Sequence, residues 1–454
     1  MREYCGVAGL IGDFPDLYKK VYLALFSLQH RGQESSGLSL FDGQEFWIYK
    51  KMGYAKELME IEKHKDKGFI GIGHVRYKTA GDSNIANAQP IFAQTNYGPV
   101  AMAHNGNLVN FKPLFSELRK AGSIFQGNSD TELIIHLLAR KRSPFLEALK
   151  ETLNEIKGAF SMVLMTKDAL WGIRDPHGMR PLVYGKIDDG YVIASETSAI
   201  DILNGEYLGE VPEGNILRID RDGKIEFIPF AVSKAKRHCV FEHIYFARPD
   251  SNIFSRNVHK MRYRIGQELA LEYPSLKADI VVAVPDSGLS AALGFSHESK
   301  IPLDRGLIRN HYIGRSFINP TQEERVNAVR MKLQPVLDVI KGKDIALIDD
   351  SMVRGTTSRE IIIILKQRQV GKIHYFLASP PIKYSCYFGI DTPDRGHLIA
   401  NKYDPKGIAN YLGIESVNYL SLEGLKKVFG EEADDNCYAC FTGDYHMENE
   451  NGAI

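Results

Sequence analysis

The sequence predicts an α+β unit of stacked sheets with helices outside, followed by an α/β unit built on a parallel sheet, and three observations carry that expectation. The first half is made of short apolar or alternating runs broken by Gly or Asn-Gly, as at 68–74, 100–104, 159–165 and 190–194. Such runs are the pattern of strands and turns. From about Ile253 the rhythm changes to continuous apolar strands, at 279–284, 343–348 and 372–378, separated by helical stretches. A parallel sheet covered on both faces produces that rhythm. The chain has 454 residues, which at roughly 150 residues per domain leaves room for two large units.

Taken in order, helical periodicity falls at 17–29, 111–121 and 130–140, the last opened by Ser129 and Asp130, which are good helix-capping residues. The boundary between the two styles lies between Pro229 and Ser255, where the basic segment Lys234 to Arg237 reads as a connection. The residues after Gly443 read as a polar tail, and the chain shows no internal repeat.

Composition narrows the function classes. Apolar residues make up 44% and charged residues 25%, as expected of a globular chain with sizeable cores. The 56 Lys plus Arg balance the 56 Asp plus Glu, so no global positive field exists to attract nucleic acid or an anionic membrane. An anionic ligand must therefore be held by a local site. No stretch approaches the roughly 20 apolar residues of a membrane span. The opening Met1-Arg2-Glu3-Tyr4-Cys5 lacks the apolar core of a signal peptide, so the expected location is the cytoplasm. Five cysteines are too few, and an odd number, for a disulfide framework. They divide into Cys5 alone and the set Cys239, Cys386, Cys437 and Cys440.

Cys5 stands at the start of the apolar run Gly6-Val7-Ala8-Gly9. Were Met1 to Tyr4 removed, it would carry both a sulfur nucleophile and an α-amine with a pKa of about 8 to act as its base. One near-terminal cysteine by itself reads as a core residue. Four further segments change the weighing: Gln29-His30-Arg31-Gly32-Gln33-Glu34-Ser35, His74-Val75-Arg76-Tyr77-Lys78-Thr79-Ala80-Gly81, His104-Asn105-Gly106-Asn107 and Gly127-Asn128-Ser129-Asp130-Thr131-Glu132. Each sets polar side chains beside glycine at strand ends, where loops build sites.

The second informative stretch is Ile345 to Ser358, in which an apolar strand ends in Asp349-Asp350 and is followed by Ser351-Met352-Val353-Arg354-Gly355-Thr356-Thr357. Backbone amides and hydroxyls at a helix start suit a phosphate. Ala283-Val284-Pro285-Asp286-Ser287-Gly288 is a strand end of the same sort, and open α/β sheets bind ligands at the carboxyl ends of their strands. The basic, aromatic segment 305–325 reads from composition equally well as an exposed loop. For the Cys437-Tyr438-Ala439-Cys440 pair with Cys239 and Cys386, a redox dithiol is unattractive. Four thiolates suit zinc or an iron–sulfur cluster, and spacing does not choose between them.

Together these segments resemble, in the same order and at similar intervals, the amidophosphoribosyltransferases (glutamine–PRPP amidotransferases; PRPP is 5-phosphoribosyl 1-diphosphate) of the iron–sulfur subclass, from Cys5 to Cys440. The resemblance implies an N-terminal-nucleophile (Ntn) hydrolase-type glutaminase domain over 5–230 and an interdomain segment over 231–252. A type I phosphoribosyltransferase domain would follow over 253–430, then a cluster-binding segment and tail over 431–454.

It implies that Cys5 attacks glutamine, that Arg76 and Asp130 hold the α-carboxylate and ammonium, and that Asn105 and the Gly106 amide form an oxyanion hole. His30, His74 and His104 would be structural. Asp349 and Asp350 would face the ribose hydroxyls and Mg²⁺ with Ser287 near the metal, and Val353, Arg354, Gly355, Thr356 and Thr357 would cradle the 5′-phosphate. Residues 315–325 would form a lid, and Cys239, Cys386, Cys437 and Cys440 would hold a [4Fe–4S] cluster.

The implied activity is formation of 5-phosphoribosylamine, glutamate and diphosphate from PRPP, glutamine and water, the first committed step of purine synthesis. Feedback by purine nucleotides and a homotetramer are implied with it. Met352 stands where the family usually has isoleucine and Lys78 where serine is common, and neither is a proposed ligand. Glucosamine-6-phosphate synthases and asparagine synthetases share the glutaminase half but should lack the Asp349–Thr357 loop. A PRPP or nucleotide sensor would have no need of Cys5, Arg76, Asn105 and Asp130.

Overall fold

The computed structural model describes residues 5–61, 66–77, 82–188, 190–232, 235–311 and 331–447. Lys78 and the expected lid at 315–325 lie outside them.

The first unit stacks two antiparallel sheets. One has seven strands in the order Glu206–Glu210, Val183–Ile187, Gly190–Ala194, Gly6–Phe14, Gly68–Arg76, Ser35–Phe41, Phe46–Met52. The other has six, in the order Ile225–Pro229, Asn215–Asp220, Ala169–Arg174, Gly158–Met165, Gly98–Leu108, Ile91–Thr95. Side chains alternate between faces along a strand. In Gly6–Phe14, Val7 and Ile11 accordingly face the second sheet, while Ala8 and Leu10 meet Leu17, Val21 and Leu25 of the covering helix Leu17–Ser27. Because both faces are covered, the strand reads as a continuous apolar run rather than a clean alternation. On the outside of the second sheet, Leu133 and Leu138 of Asp130–Ala139 and Leu149 and Leu153 of Phe145–Glu155 pack on Met102, Met162 and Trp171.

Helix boundaries follow the sequence reading to within two residues. Asp130–Ala139 begins where expected because the Ser129 hydroxyl accepts the Glu132 N–H at 3.3 Å, satisfying one of the free amides of the first turn.

The second unit holds a five-stranded parallel sheet ordered Leu303–Asp304, Ile280–Ala283, Ile345–Asp349, Ile373–Leu377, Ser416–Tyr419. Val258–Glu272 and Leu289–Ser299 cover one face, with Met261, Ile265 and Phe295 on Val281, Ile348 and Phe376. Thr356–Gln367 and Pro405–Leu412 cover the other, with Ile361, Leu365 and Ile408 on Leu347, Tyr375 and Leu377. The Asp349 strand is thus central, and its carboxyl end opens between the two helix layers.

A buried ionic network joins the halves. The Arg31 guanidinium donates to Glu196 and, at 2.7 Å, to Glu242, and Glu196 also meets His30 at 2.7 Å and accepts the Ser251 hydroxyl at 2.7 Å. Burial works against a charged Glu196, but Arg31 and His30 outweigh it and hold its carboxyl well below the usual range. Arg180 lies 3.6 Å from Glu242. A two-residue parallel bridge pairs His238–Cys239 with Asn436–Cys437, tying the C-terminal segment to the connection between the halves.

Candidate active sites

Cys5 directly precedes the central strand Gly6–Phe14, whose neighbour Gly68–Arg76 ends alongside it through the Gly6–Val75 pairing. Its thiol is buried and approaches the Tyr77 carbonyl oxygen at 3.5 Å. Burial pushes the thiol up to about 11, against a smaller opposing pull from Arg76. Asp130 and Glu34 also lie near enough to act on its charge. Left to itself this thiol stays protonated at neutral pH, so a nucleophilic role requires a base at the sulfur.

Arg76 donates to Glu34 at 2.8 Å and to the Asp82 carbonyl at 3.2 Å. Asp130 opens its helix with one carboxylate oxygen 3.2 Å from His104 Nδ1, and its other oxygen has no hydrogen-bond partner among the described residues. Burial raises the Asp130 carboxyl, but the His104 imidazole and the Thr131 amide more than offset this and hold it below its ordinary value. Asn105 is fully buried, yet neither its amide nitrogen nor its oxygen finds a partner among the described residues. An unmet buried amide is costly and calls for a ligand. Gly106 follows it where a side chain cannot fit, since a Cβ would come within 1.9 Å of the Ala159 carbonyl oxygen.

The three histidines are bound within the protein. His74 Nε2 donates to the His104 carbonyl at 3.0 Å, and burial lowers the His74 ring to about 3, keeping it neutral. His104 faces Asp130, and His30 belongs to the network between the halves.

Sequence reasoning missed the partner of Arg76, Glu34, although it stands in a segment singled out for its polarity. It also missed the clamp in which the Asn87 side chain donates to Asn128 at 2.7 Å and accepts the Asn128 N–H at 3.0 Å, fixing the loop before Asp130. Asparagines spaced so far apart in sequence carry no local signal.

In the second unit the structure brings the two expected loops together. The Ser287 hydroxyl donates to Asp349 Oδ1 at 3.3 Å, and the Asp350 N–H donates to the same oxygen at 2.9 Å. The peptide bond Pro285–Asp286 is cis, and Asp286 pairs with Arg309 at 2.6 Å. Both Asp349 and Asp350 are buried, 7% exposed. Burial first, and the adjacent Asp350 second, push the Asp349 carboxyl well above its ordinary value.

Beyond them Gly355 takes φ +75°, a left-handed conformation that favours glycine, and the helix Thr356–Gln367 starts there without a side-chain cap. Its first-turn amides are open to an anion, and Arg354, Thr356 and Thr357 are exposed beside them. Val353 is partly buried, its carbonyl accepting the Ile399 N–H at 2.9 Å.

The remaining four thiols converge although far apart in sequence. Cys239, Cys386, Cys437 and Cys440 line one largely apolar cavity with Met179, Arg180 and Phe388. None forms a disulfide. The Phe388 N–H donates to Cys386 Sγ at 3.3 Å, and the Cys440 carbonyl accepts from Lys383 and Tyr384 at 3.0 and 3.1 Å. Burial is the main cause that pushes Cys437 up to about 12, raises Cys386, and raises Cys440 well above the usual thiol value. Among the described residues, no group of three or more His, Cys, Asp or Glu is set to hold a metal ion as it stands. The thiols surround a shared space.

A family profile described as a glutamine amidotransferase domain matches residues 74–202. Amidophosphoribosyltransferase 2, chloroplastic, of Arabidopsis thaliana is 44% identical over 98% of this chain and 80% of its own length. The amidophosphoribosyltransferase of Bacillus subtilis (strain 168) is 43% identical over 99% of this chain and 95% of its own. Among solved structures, the glutamine PRPP amidotransferase from B. subtilis complexed with ADP and GMP superposes with a TM-score of 0.92 at 40% identity, covering 99% of each chain.

Proposed function

The chain belongs to the amidophosphoribosyltransferase family, and from that premise we propose how its residues form 5-phosphoribosylamine, glutamate and diphosphate from PRPP, glutamine and water. The observation that carries the proposal is the coexistence in one chain of a buried Cys5 flanked by Arg76 and Asp130 and a buried Asp349–Asp350 pair followed by a short loop and an uncapped helix start.

In the first site Arg76 receives the glutamine α-carboxylate, exchanging its contact with Glu34, and the unpartnered oxygen of Asp130 receives the ammonium. Cys5 adds to the side-chain carboxamide. Its proton passes to its own α-amine once Met1 to Tyr4 are removed, which supplies the base that a thiol near 11 needs. Asn105 and the Gly106 N–H steady the oxyanion, a use for the unmet Asn105 amide. Ammonia leaves, and water hydrolyses the thioester to glutamate.

In the second site ammonia displaces diphosphate from C1 of PRPP. The backbone from Val353 to Thr357 and the Arg354, Thr356 and Thr357 side chains take the 5′-phosphate, and Asp350 and Asp349 face the ribose hydroxyls. Ser287, Asp349 and Asp350 would also hold Mg²⁺. Carboxylates suit Mg²⁺, and a cation held there would offset both the burial of Asp349 and its repulsion by Asp350. When bound, it supplies charge neutralisation of the departing diphosphate.

Two measurements test the assignment together: mass spectrometry of the purified N-terminus and diphosphate release assayed with glutamine and PRPP. A chain beginning at Cys5 that releases diphosphate only when both substrates are present is the expected result. A fully active chain still beginning at Met1 refutes Cys5 as an N-terminal nucleophile.

The four-thiol cavity fits a [4Fe–4S] cluster held by Cys239, Cys386, Cys437 and Cys440. A buried thiolate set is costly alone and is stabilised when bound iron supplies positive charge, while the apolar lining suits a group shielded from water. Two of the four ligands sit on the bridge between the interdomain and C-terminal segments, so the role of the cluster is to fasten those segments. Anaerobically purified protein will contain about four irons and four sulfides per chain. Cys437→Ser will lower the melting temperature by on the order of 10 °C and reduce yield, with a much smaller effect on the turnover of protein that survives. Zinc without iron, or an unchanged melting temperature, refutes this.

Purine nucleotides as feedback inhibitors complete the reading, supported by the ADP and GMP in the B. subtilis relative. A homotetramer working in the cytoplasm is part of the same proposal. No helix of the described residues is long and apolar enough to cross a membrane.

A further inference from the structure

Tyr375 is fully buried in the strand Ile373–Leu377, among Leu347, Leu377, Ile361 and Leu365. A phenol in such a place is costly unless its hydroxyl is bonded. It reaches Asp349 Oδ2 at 2.8 Å and Ser358 Oγ at 3.3 Å. The phenol has one proton to give. The carboxylate is the stronger acceptor, so Ser358 donates to the phenolic oxygen and the phenol donates to Asp349.

The other Asp349 oxygen already accepts Ser287 Oγ–H and the Asp350 N–H. Asp349 is therefore held at both oxygens. One hold comes from the loop after the strand Ile280–Ala283, another from the backbone of the next residue, and a third from the neighbouring strand. Through Ser358 that third hold extends into the helix whose first turn faces the expected phosphate. Phenylalanine would fill the same space but leave Oδ2 without this donor, so packing does not account for the hydroxyl.

We propose that Tyr375 is a positioning residue for the phosphoribosyl site: its hydroxyl fixes the plane in which Asp349 meets the PRPP–Mg²⁺ complex and ties that plane to the phosphate-binding helix through Ser358. This rests on the reading that Asp349 and Asp350 face PRPP.

The test is calorimetric titration of PRPP with Mg²⁺ into the full-length protein carrying Tyr375→Phe, Ser358→Ala or Asp349→Asn, alongside steady-state kinetics at varied Mg²⁺. Tyr375→Phe should weaken PRPP binding and raise KM for PRPP about tenfold, as expected for loss of a hydrogen bond to a charged group. It should raise the Mg²⁺ concentration for half-maximal turnover in parallel, while kcat at saturation changes far less. Ser358→Ala should shift the same quantities in the same direction by less, which keeps the idea testable if Tyr375→Phe does not fold. A purely structural tyrosine would lower stability without this split.

Asp349→Asn separates the inference from its premise. If it abolishes PRPP binding while Tyr375→Phe binds within twofold of the unaltered protein, the role given to Tyr375 is overturned. If Asp349→Asn binds PRPP normally, the site assignment falls and Tyr375 with it.

Discussion

Cys5→Ala will remove glutamine as a nitrogen donor, lowering glutamine-dependent diphosphate release by at least on the order of 10³-fold, as loss of a covalent nucleophile does. Ammonia at high concentration will still support release. The reason is the separation of the two sites: Cys5 stands at the start of the central strand of the seven-stranded sheet, near Arg76 and Asp130, whereas Asp349 and Ser287 lie at the carboxyl end of a different sheet. Alanine at position 5 fits the same pocket and leaves the ionic network between the halves intact, because Arg31, Glu196 and Glu242 make none of their bonds to Cys5. The measurement is diphosphate release with each donor in turn. Sustained turnover of the variant on glutamine means that Cys5 is not the nucleophile; loss of ammonia-dependent turnover, with the fold intact, means that the two chemistries are not divided as argued.

How much of this the sequence revealed depends on how far apart the cooperating residues stand. Strands and helices were legible because their signals are local: the apolar run before Asp349 is buried on both faces, and Ser129 announces the helix it caps. The Asp349–Thr357 loop was legible for the same reason, being one contiguous stretch. Convergence of Cys239, Cys386, Cys437 and Cys440 on one cavity was expected through family resemblance, since cysteines so far apart in sequence carry no local signal that they meet.

What escaped was created by topology. Arg31 meets Glu242 across 211 positions, and neither residue stands out from the charged residues around it. Glu34 closes on Arg76 only because Ser35–Phe41 pairs with Gly68–Arg76, with Ser35 opposite Arg76. Tyr375 looked like one more apolar strand residue, and its link to Asp349 follows from the parallel register that sets Leu347 opposite Tyr375 and Asp349 opposite Leu377.

If Asp349 and Asp350 face PRPP and Mg²⁺ as proposed, Asp350→Asn and Asp349→Asn will each lower PRPP-dependent turnover by on the order of 100-fold, since a carboxylate lost from such a site forfeits a few kcal/mol of stabilisation. Hydrolysis of glutamine without PRPP will fall by no more than a small factor, because neither residue touches the Cys5 pocket. The two variants should differ in stability. Burial and the adjacent Asp350 disfavour the charged Asp349, so a neutral side chain in either place removes repulsion between them, and Asp350→Asn will equal or exceed the unaltered protein in melting temperature without ligands. Asp349→Asn gains the same relief but replaces an acceptor of the Tyr375 hydroxyl, the Ser287 hydroxyl and the Asp350 N–H, which offsets it. PRPP with Mg²⁺ should raise the melting temperature of the unaltered protein and fail to do so for either variant, because a ligand stabilises only the protein that binds it. Thermal melts with and without PRPP and Mg²⁺, run beside the two activity assays, decide the matter: equal loss of both activities with intact melting curves would mean that these carboxylates serve the thiol site, and retention of the PRPP-induced shift would mean that they do not hold PRPP.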